Sequence, residues 1–168
     1  AGQPPAFEDA TAATSLGGLS DAVTTATSNI GIGSGAVDSI TTGDYNVGLG
    51  DSALTANTEG DDNTAISRYS LLSNTTGDSN VGVGRDTLRA NTTASYNTAV
   101  GTFALTANTT GASNVAVGYG ALDANTTANA NTAVGYVALG ANTTGAANTS
   151  VGNNALAVNT EGDYNTAL

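Results

Sequence analysis

Aspartates are the first candidates for catalytic residues in this chain. Asp61 and Asp62 are adjacent, and Asp44 and Asp163 lie in similar surroundings. A pair of carboxylates can supply the acid and the base of a hydrolytic reaction. All four, however, lie among Gly, Asn and Thr in segments typical of turns, where a carboxylate usually caps the turn or faces water. We therefore expect no catalytic residue and no enzymatic activity.

A metal site is the second chemistry that these acids could supply. A weak calcium site between the turns that hold Asp61 and Asp78 is an alternative to solvated acid groups. The chain contains no His and no Cys, which removes the commonest ligands of transition metals and the commonest general base. The Asp-rich nonapeptide of calcium-binding β-rolls is also absent from the sequence. We expect no metal site and no cofactor.

Aromatic side chains are candidates for binding rather than for catalysis. Tyr69, Phe103, Tyr119 and Tyr136 lie near turns and are our candidates for surface contacts. Exposed rings can stack on sugars or anchor a protein partner. The alternative, which we favour at this point, is that the rings cover the edges of coils and neighbouring chains.

The charge balance excludes two classes of partner. The net charge is −11, and the only cationic side chains are Arg68, Arg85 and Arg89. A basic footprint for nucleic acid is therefore missing, and an anionic membrane surface would repel the chain. No apolar run approaches the length of a membrane span. We expect neither a nucleic-acid partner nor membrane insertion.

A 17-residue repeat with two Asn residues positions all of these side chains. The first Asn of the repeat recurs at Asn29, Asn46, Asn63, Asn80, Asn97, Asn114, Asn131, Asn148 and Asn165. The second recurs at Asn57, Asn74, Asn91, Asn108, Asn125, Asn142 and Asn159. An unbroken period of this kind predicts a solenoid over residues 29–168 with one coil per repeat. Stacked Asn side chains are expected to form two hydrogen-bonded ladders along it.

Each repeat contains two short apolar segments, such as 97–101 and 104–108. Their length suits strands and is too short for helices. Gly101 and the 109–111 segment supply the turns between them. The sequence therefore predicts an all-β fold, a parallel β-solenoid of about eight to nine 17-residue coils that is roughly 40 Å long.

The alternation of side chains within the first strand leads to a prediction about the oligomer. Thr98 and Val100 share one face, which we assign to the interior together with Leu105 and Ala107. The opposite face is always small, and its row comprises Gly48, Ala65, Gly82, Ala99, Ala116, Ala133 and Ser150. Because a solvent-facing row has no reason to stay small, we assign this row to the axis of a homotrimer.

Two expectations concern the ends of the chain. Residues 1–28 contain both prolines and lie outside the repeat, so we interpret them as an N-terminal arm or docking linker. The last repeat stops at Leu168, at the position that Val100 and Val117 hold in earlier copies. We expect the chain to be a fragment of a longer fibre, with further coils or a C-terminal knob that forms the receptor-binding tip.

The motif Asn-Thr-Ala-Val-Gly, as in residues 97–101, resembles the strand motif of YadA-like trimeric adhesin heads. The longer pattern of residues 97–111 is closest to repeats of bacteriophage and cyanophage fibre proteins. The resemblance covers residues 29–168, and it implies a left-handed parallel β-roll with three chains around an axis. No coiled-coil stalk, membrane anchor or chaperone domain accompanies the motif in this sequence.

Three functional hypotheses follow, in order of preference. The first is a trimeric structural fibre on the virion surface of a tailed phage, which helps to attach the particle to a host glycan or protein. Its N-terminal arm would contact other virion proteins. The second is the head of a bacterial adhesin at the cell surface, in the extracellular space. The third is an ice-binding solenoid, which needs a flat exposed Thr array; we disfavour it because Thr98 and Thr132 are predicted to point into the coil.

Overall fold

The computed structural model describes residues 28–168, and its regular secondary structure is entirely β. Its strands are β1 Ile30–Ile32, β2 Val47–Leu49, β3 Thr64–Ile66, β4 Val81–Val83, β5 Thr98–Val100, β6 Val115–Val117, β7 Thr132–Val134, β8 Thr149–Val151 and β9 Thr166–Ala167. The predicted N-terminal arm, apart from Ser28, lies outside the described residues.

These strands form one parallel sheet in chain order. Each strand pairs with the next in the same register, so that Ala99 lies beside Ala116 and Val100 beside Val117. That offset equals the period of the sequence, which means that every repeat makes one full coil. The prediction of an all-β parallel solenoid with 17-residue coils is confirmed.

The second predicted strand of each coil is not a strand anywhere in residues 28–168. Phe103 and Leu105 both adopt positive φ, 64° and 51°, and the same two positions do so in every other coil described. An extended strand has negative φ throughout, so this alternation folds the segment into successive turns instead. The Ala104 N–H donates to the Gly101 carbonyl at 3.1 Å, and the Asn108 N–H donates to the Leu105 carbonyl at 3.2 Å. The Leu105 N–H still bonds the next coil, at the Ala121 carbonyl.

A column of leucines fills the coil interior. Its fully buried members are Leu54, Leu71, Leu88, Leu105, Leu122 and Leu139, and Val37 continues the column in the first coil. The residue before each of these is also buried, and it is Ala in most coils. Two consecutive buried residues break the alternation that a strand would show, in keeping with the turn geometry.

The sequence-based assignment of the first strand's faces is wrong. The small row lies inside the coil, where its members Gly48, Ala65, Gly82, Ala99, Ala116, Ala133 and Ser150 are all buried within a single chain. Thr98 and Val100 flank Ala99 on the outside and remain partly exposed. The small row therefore cannot line a trimer axis.

Close approach of the opposite wall explains why this inner row is small. A Cβ added at Gly48 would lie 3.0 Å from Cγ1 of Val37 and 3.1 Å from the Ala53 carbonyl oxygen. The interior between the strand and the leucine column therefore has room for Gly, Ala or Ser and for nothing larger.

The fourth coil shows how one interior position compensates another. Here the wall opposite the strand presents Ser70 and Thr87 instead of Ala, and Gly82 replaces the Ala of neighbouring strands. A Cβ at Gly82 would collide with the Ser70 hydroxyl and lie 3.0 Å from the Thr87 hydroxyl. The two hydroxyls satisfy each other at 2.8 Å, and Ser70 Oγ also bonds the Gly82 carbonyl at 3.0 Å. Glycine at this place therefore makes room for a buried polar pair.

Two asparagine ladders run the length of the solenoid. In the first, each backbone N–H donates to the side-chain Oδ1 of the preceding ladder residue at 2.8–3.0 Å. In the second, each Nδ2 donates to the preceding Oδ1 at 2.8–3.3 Å. Both ladders are fully buried through the middle of the chain. Each side chain therefore joins two coils by hydrogen bonds out of water.

In the coils that begin at residues 46 to 148, the two ladders meet at one carbonyl. In the coil that begins at Asn97, the Gly111 oxygen accepts from Nδ2 of Asn97 and from Nδ2 of Asn108, both at 2.9 Å. This carbonyl belongs to the turn that closes the coil. Both Asn residues thus bind the same turn, whereas in the first coil Asn29 alone donates to the equivalent Gly43 carbonyl and Ile40 holds the second position.

A threonine ladder, which the sequence analysis missed, lies beside the second Asn ladder. Its hydroxyls donate to the carbonyl of the equivalent Thr in the next coil at 3.0–3.3 Å. The members are Thr41, Thr58, Thr75, Thr92, Thr109, Thr126, Thr143 and Thr160. The available signal was this unbroken Thr at one repeat position.

Candidate functional site: two outer surfaces

The outer side of the sheet presents two rows of side chains, which we call the aliphatic face. The first row holds the opening residue of each strand, Ile30, Val47, Thr64, Val81, Thr98, Val115, Thr132, Thr149 and Thr166. The second row lies two residues further on, at Ile32, Leu49, Ile66, Val83, Val100, Val117, Val134, Val151 and Leu168. Every residue of both rows is partly or fully exposed in the single chain.

The two rows differ in a way that bears on function. The first row mixes aliphatic residues with Thr, as an exposed strand position can. The second row is aliphatic in all nine copies, although Ile32 and Ile66 expose 42% and 36% of their surface. A row in permanent contact with water has no physical reason to exclude polar residues so completely. A second surface that covers the row would supply that reason.

A second surface follows the corner where each strand leads into the next turn. We call it the Arg–aromatic stripe, and it comprises Arg68, Tyr69, Arg85, Arg89, Phe103, Tyr119 and Tyr136. Each of its arginines lies over a ring: Arg68 and Arg89 over Tyr69 at 4.2 and 5.3 Å from the ring centre, and Arg85 over Phe103 at 4.7 Å. All cationic side chains of the chain therefore lie on this one surface.

Two aspartates hold these arginines in place. Arg68 Nε lies 3.5 Å from Oδ2 of Asp51, and Asp86 contacts both Arg85 Nε at 3.4 Å and Arg89 Nη1 at 3.5 Å. Asp86 is buried, and its Oδ1 makes no hydrogen bond. The guanidinium groups of Arg85 and Arg89 thus compensate a largely buried carboxylate whose Oδ1 has no contact with water, and this constrains both side chains.

Stacked rings continue the stripe along the axis. Tyr119 and Tyr136 are stacked with their centres 5.4 Å apart, and Phe103 meets Tyr119 edge-on at 5.8 Å. About half of each Tyr surface is exposed, 49% for Tyr119 and 53% for Tyr136. The candidate surface residues Tyr69, Phe103, Tyr119 and Tyr136 therefore lie on one stripe. The other exposed tyrosines, at positions 45, 96 and 164, occupy a different corner, just before the strands.

Two of the candidate carboxylates accept hydrogen bonds from the backbone of a neighbouring coil. Asp61 Oδ1 accepts from the Asp44 N–H at 2.7 Å, and Asp78 Oδ1 accepts from the Asp61 N–H at 2.9 Å. These carboxylates therefore bond the backbone of the preceding coil. Among residues 28–168 no group of His, Cys, Asp or Glu has the arrangement of a metal site.

Asp123, which shares the repeat position of Arg89, has a raised pKa. Burial raises the pKa of Asp123, while hydrogen bonds from its own backbone and that of Ala124 oppose the shift. Thr55 and Thr106 occupy the same position in other coils, and their hydroxyls donate to carbonyls at 2.7 and 2.9 Å. Asp123 lacks such a donor, so its partly buried carboxylate cannot make the hydrogen bond that the two threonines make.

Comparisons with known proteins identify no relative: no family model matches the chain, and neither do curated proteins or solved structures. The described residues include no helix with the length and hydropathy of a membrane span. The geometry of the two outer surfaces is therefore the ground for the functional argument.

Proposed function

We propose that this chain is the shaft of a homotrimeric fibre on the virion surface of a tailed phage, where it projects from the particle and helps it to attach to a host. The observation that supports the proposal most is the aliphatic face, which extends over every coil described. The resemblance of the 97–111 pattern to phage fibre repeats supports the virion setting.

The energetics favour association through this face. Covering a partly exposed Val, Ile or Leu stabilises a complex by roughly 0.5–1 kcal/mol. One row of nine such residues then contributes about as much as the ~4–15 kcal/mol that association costs. Three chains packed in parallel around an axis would cover the second row of each chain. This arrangement replaces the small-row axis, because the small row is buried inside its own coil.

A fibre shaft also fits the bonding of the coils. Each coil is tied to the next by the sheet, two Asn ladders and a Thr ladder, so the rod can lengthen by adding identical units. In several of the described coils, carboxylates accept hydrogen bonds from backbone N–H groups or form ion pairs. This suits a structural role better than an enzymatic one. Other virion proteins would contact the chain through residues 1–28.

The test is the oligomeric state of the purified chain and of a face variant. Sedimentation equilibrium should give the mass of three chains for the wild type and of one chain for Val100→Lys/Val117→Lys. The matched control is Thr110→Lys, at an exposed turn position where Glu59 and Glu161 show that charge is accepted; it should remain trimeric. A monomeric wild type, or a trimeric face variant, would reject the proposal.

The virion setting has a separate test. Genes for virion structural proteins should lie beside the coding gene. A neighbouring gene for an outer-membrane anchor would favour the bacterial adhesin head instead.

A second candidate function is ice binding, because the structure removes the reason for disfavouring it. Thr98 and Thr132 do not point into the coil; they lie on the outer side of the sheet with Thr64, Thr149 and Thr166. The array is interrupted by Ile30, Val47, Val81 and Val115, and the second row contains no Thr, so we rank this function below the fibre. Thermal hysteresis of a monomeric wild-type protein, lost in Thr132→Lys, would reverse that order.

A further inference from the structure

We propose that the Arg–aromatic stripe binds a linear acidic polysaccharide that runs along the solenoid axis. The inference deepens the attachment role proposed above and depends on it only for its biological setting. The residues of the stripe would contact this ligand.

Charge complementarity is the first argument. The chain carries 14 acidic residues and three arginines, so most of its surface repels an anion. On the stripe, the three arginines lie beside Asp51 and Asp86, and Asp123, which shares the repeat position of Arg89, lies further along it, so the cations and the aspartates balance. All three cationic side chains of the chain lie here. An anionic ligand is therefore directed to this stripe and away from the other surfaces.

The arginines are held in place yet still have donors to offer. Each rests on a ring, and their side chains are about half exposed: 56% for Arg68, 51% for Arg85 and 50% for Arg89. A guanidinium has five N–H donors, and the contacts to aspartate and Tyr69 engage only some of them. Such a group can accept a carboxylate or sulfate with little loss of side-chain freedom.

The shape of the stripe indicates a polymer rather than a small anion. From Arg68 to Tyr136 it spans four coil rises, roughly 19 Å. The arginines lie at one end, and the stacked rings of Phe103, Tyr119 and Tyr136 extend the surface beyond them. An acidic sugar chain has anionic groups that can bind the arginines, and it has C–H and hydroxyl groups that can contact the stacked rings.

Single-stranded nucleic acid is the competing linear anion, because its bases also stack on aromatic rings. It has a phosphate at every nucleotide, whereas this stripe offers three arginines beside three aspartates on a chain of net charge −11. A polysaccharide with more widely spaced charges is repelled less by the surrounding acids. The geometry therefore favours the sugar polymer.

The test is isothermal titration of the full chain with defined probes. The probes are a hyaluronan oligosaccharide and a partly methyl-esterified oligogalacturonate, which carry a carboxylate on only about every second sugar, together with a neutral maltooligosaccharide of the same length and oligo(dT). We expect binding of at least one acidic sugar that weakens as salt is added, and much weaker binding of the neutral sugar and of oligo(dT). Absence of binding to both acidic sugars, equal binding of the neutral sugar, or tighter binding of oligo(dT) would overturn the proposal.

Variants locate the site. The double variant Arg68→Thr/Tyr119→Thr carries threonine at both positions. Thr102 already holds the same repeat position in a coil between them, so the fold should tolerate the change. The double change should weaken acidic-sugar binding about tenfold or more, since it removes one cation and one stacked ring. Tyr96→Ser is the matched control, because Ser79 and Ser113 hold that position in the adjacent coils, and it should bind as the wild type does.

An unchanged affinity in the double variant, or an equal loss in Tyr96→Ser, would contradict the assignment. Sedimentation of the same samples separates the two proposals. A trimer that binds no acidic sugar rejects the stripe alone, and a monomer that binds one rejects the fibre shaft alone.

Discussion

The two sides of a single strand obey opposite rules in this molecule. On the inner side of β6, Ala116 faces the leucine column and is fully buried in its own chain. On the outer side, Val115 and Val117 are larger and remain partly exposed. Size therefore does not mark the interior: a narrow coil selects small residues inside, and the larger aliphatic residues lie where another surface can cover them.

Enlarging a side chain should destabilise the protein far more on the inner side of the strand than on the outer side, and this is the largest difference that we expect between the two sides. Ala116→Leu adds three carbon atoms to a packed wall and should destabilise the coil by about 3 kcal/mol or more. Chemical denaturation of dilute protein measures the loss. The control is Val117→Leu on the outer side, where Leu49 already occupies the same row, and it should cost less than ~1 kcal/mol. Similar losses in both variants would refute the assignment of sides.

Asn97, the residue that leads into β5, tests the polar part of the interior. Asn97→Ala removes the acceptor of the Asn114 N–H and the donor to the Gly111 carbonyl. Leaving such groups unsatisfied away from water should cost about 2–3 kcal/mol. Asn153→Ala, at an exposed position, is the control and should leave the denaturation midpoint nearly unchanged. A loss below ~0.5 kcal/mol for Asn97→Ala would mean that the ladder contributes little to stability.

Gly82 tests whether the opposite wall of the coil determines the size of the residue on the inner side of the strand. Gly82→Ala forces a Cβ against the Ser70 hydroxyl and should destabilise the fold by about 1–2 kcal/mol. Adding Ser70→Ala and Thr87→Ala recreates the Ala-lined interior of adjacent coils and should restore most of that loss. If the triple variant is less stable than Gly82→Ala alone, local compensation is not the reason for the glycine.

The smallest effect is expected outside the strand, at Asp123. Because the folded-state pKa of Asp123 is raised, its protonated form is favoured by folding; that contribution is complete below the unfolded pKa and is lost as the pH rises through the folded pKa. Asp123→Thr should therefore raise the melting temperature at pH 7, by the equivalent of about 0.5–1 kcal/mol. Circular dichroism should show the charge-related part of this gain disappearing near pH 3, and a gain that grows toward low pH would contradict the sign.

The period of the sequence was sufficient to predict the solenoid, its parallel strands and the two Asn rows, because one coil per repeat places equivalent residues side by side. The second strand was predicted wrongly because Leu105 and its equivalents adopt positive φ, which leucine's side chain does not signal. Alternation showed which residues of a strand share a side, but it does not say which side is inside.

The candidate surfaces were predictable only in part. The rings Tyr69, Phe103, Tyr119 and Tyr136 were found as candidates, but their contacts with the arginines were not. Arg68, Arg85, Tyr119 and Tyr136 share one repeat position, so aligning the copies would have placed them in one row. The contribution of Arg89, four residues further along, depends on the turn geometry that the sequence did not reveal.

The placement of the two strand sides is tested most directly by single cysteines, because the chain has none of its own. Val117→Cys and Ala116→Cys should be compared for reaction with a thiol reagent in the native state and for cross-linking between chains on mild oxidation. We expect Val117→Cys to yield covalently linked chains, whereas Ala116→Cys should be protected from the reagent and remain unlinked. Cross-linking through Ala116→Cys with none through Val117→Cys would place the small row at the axis after all and contradict the account.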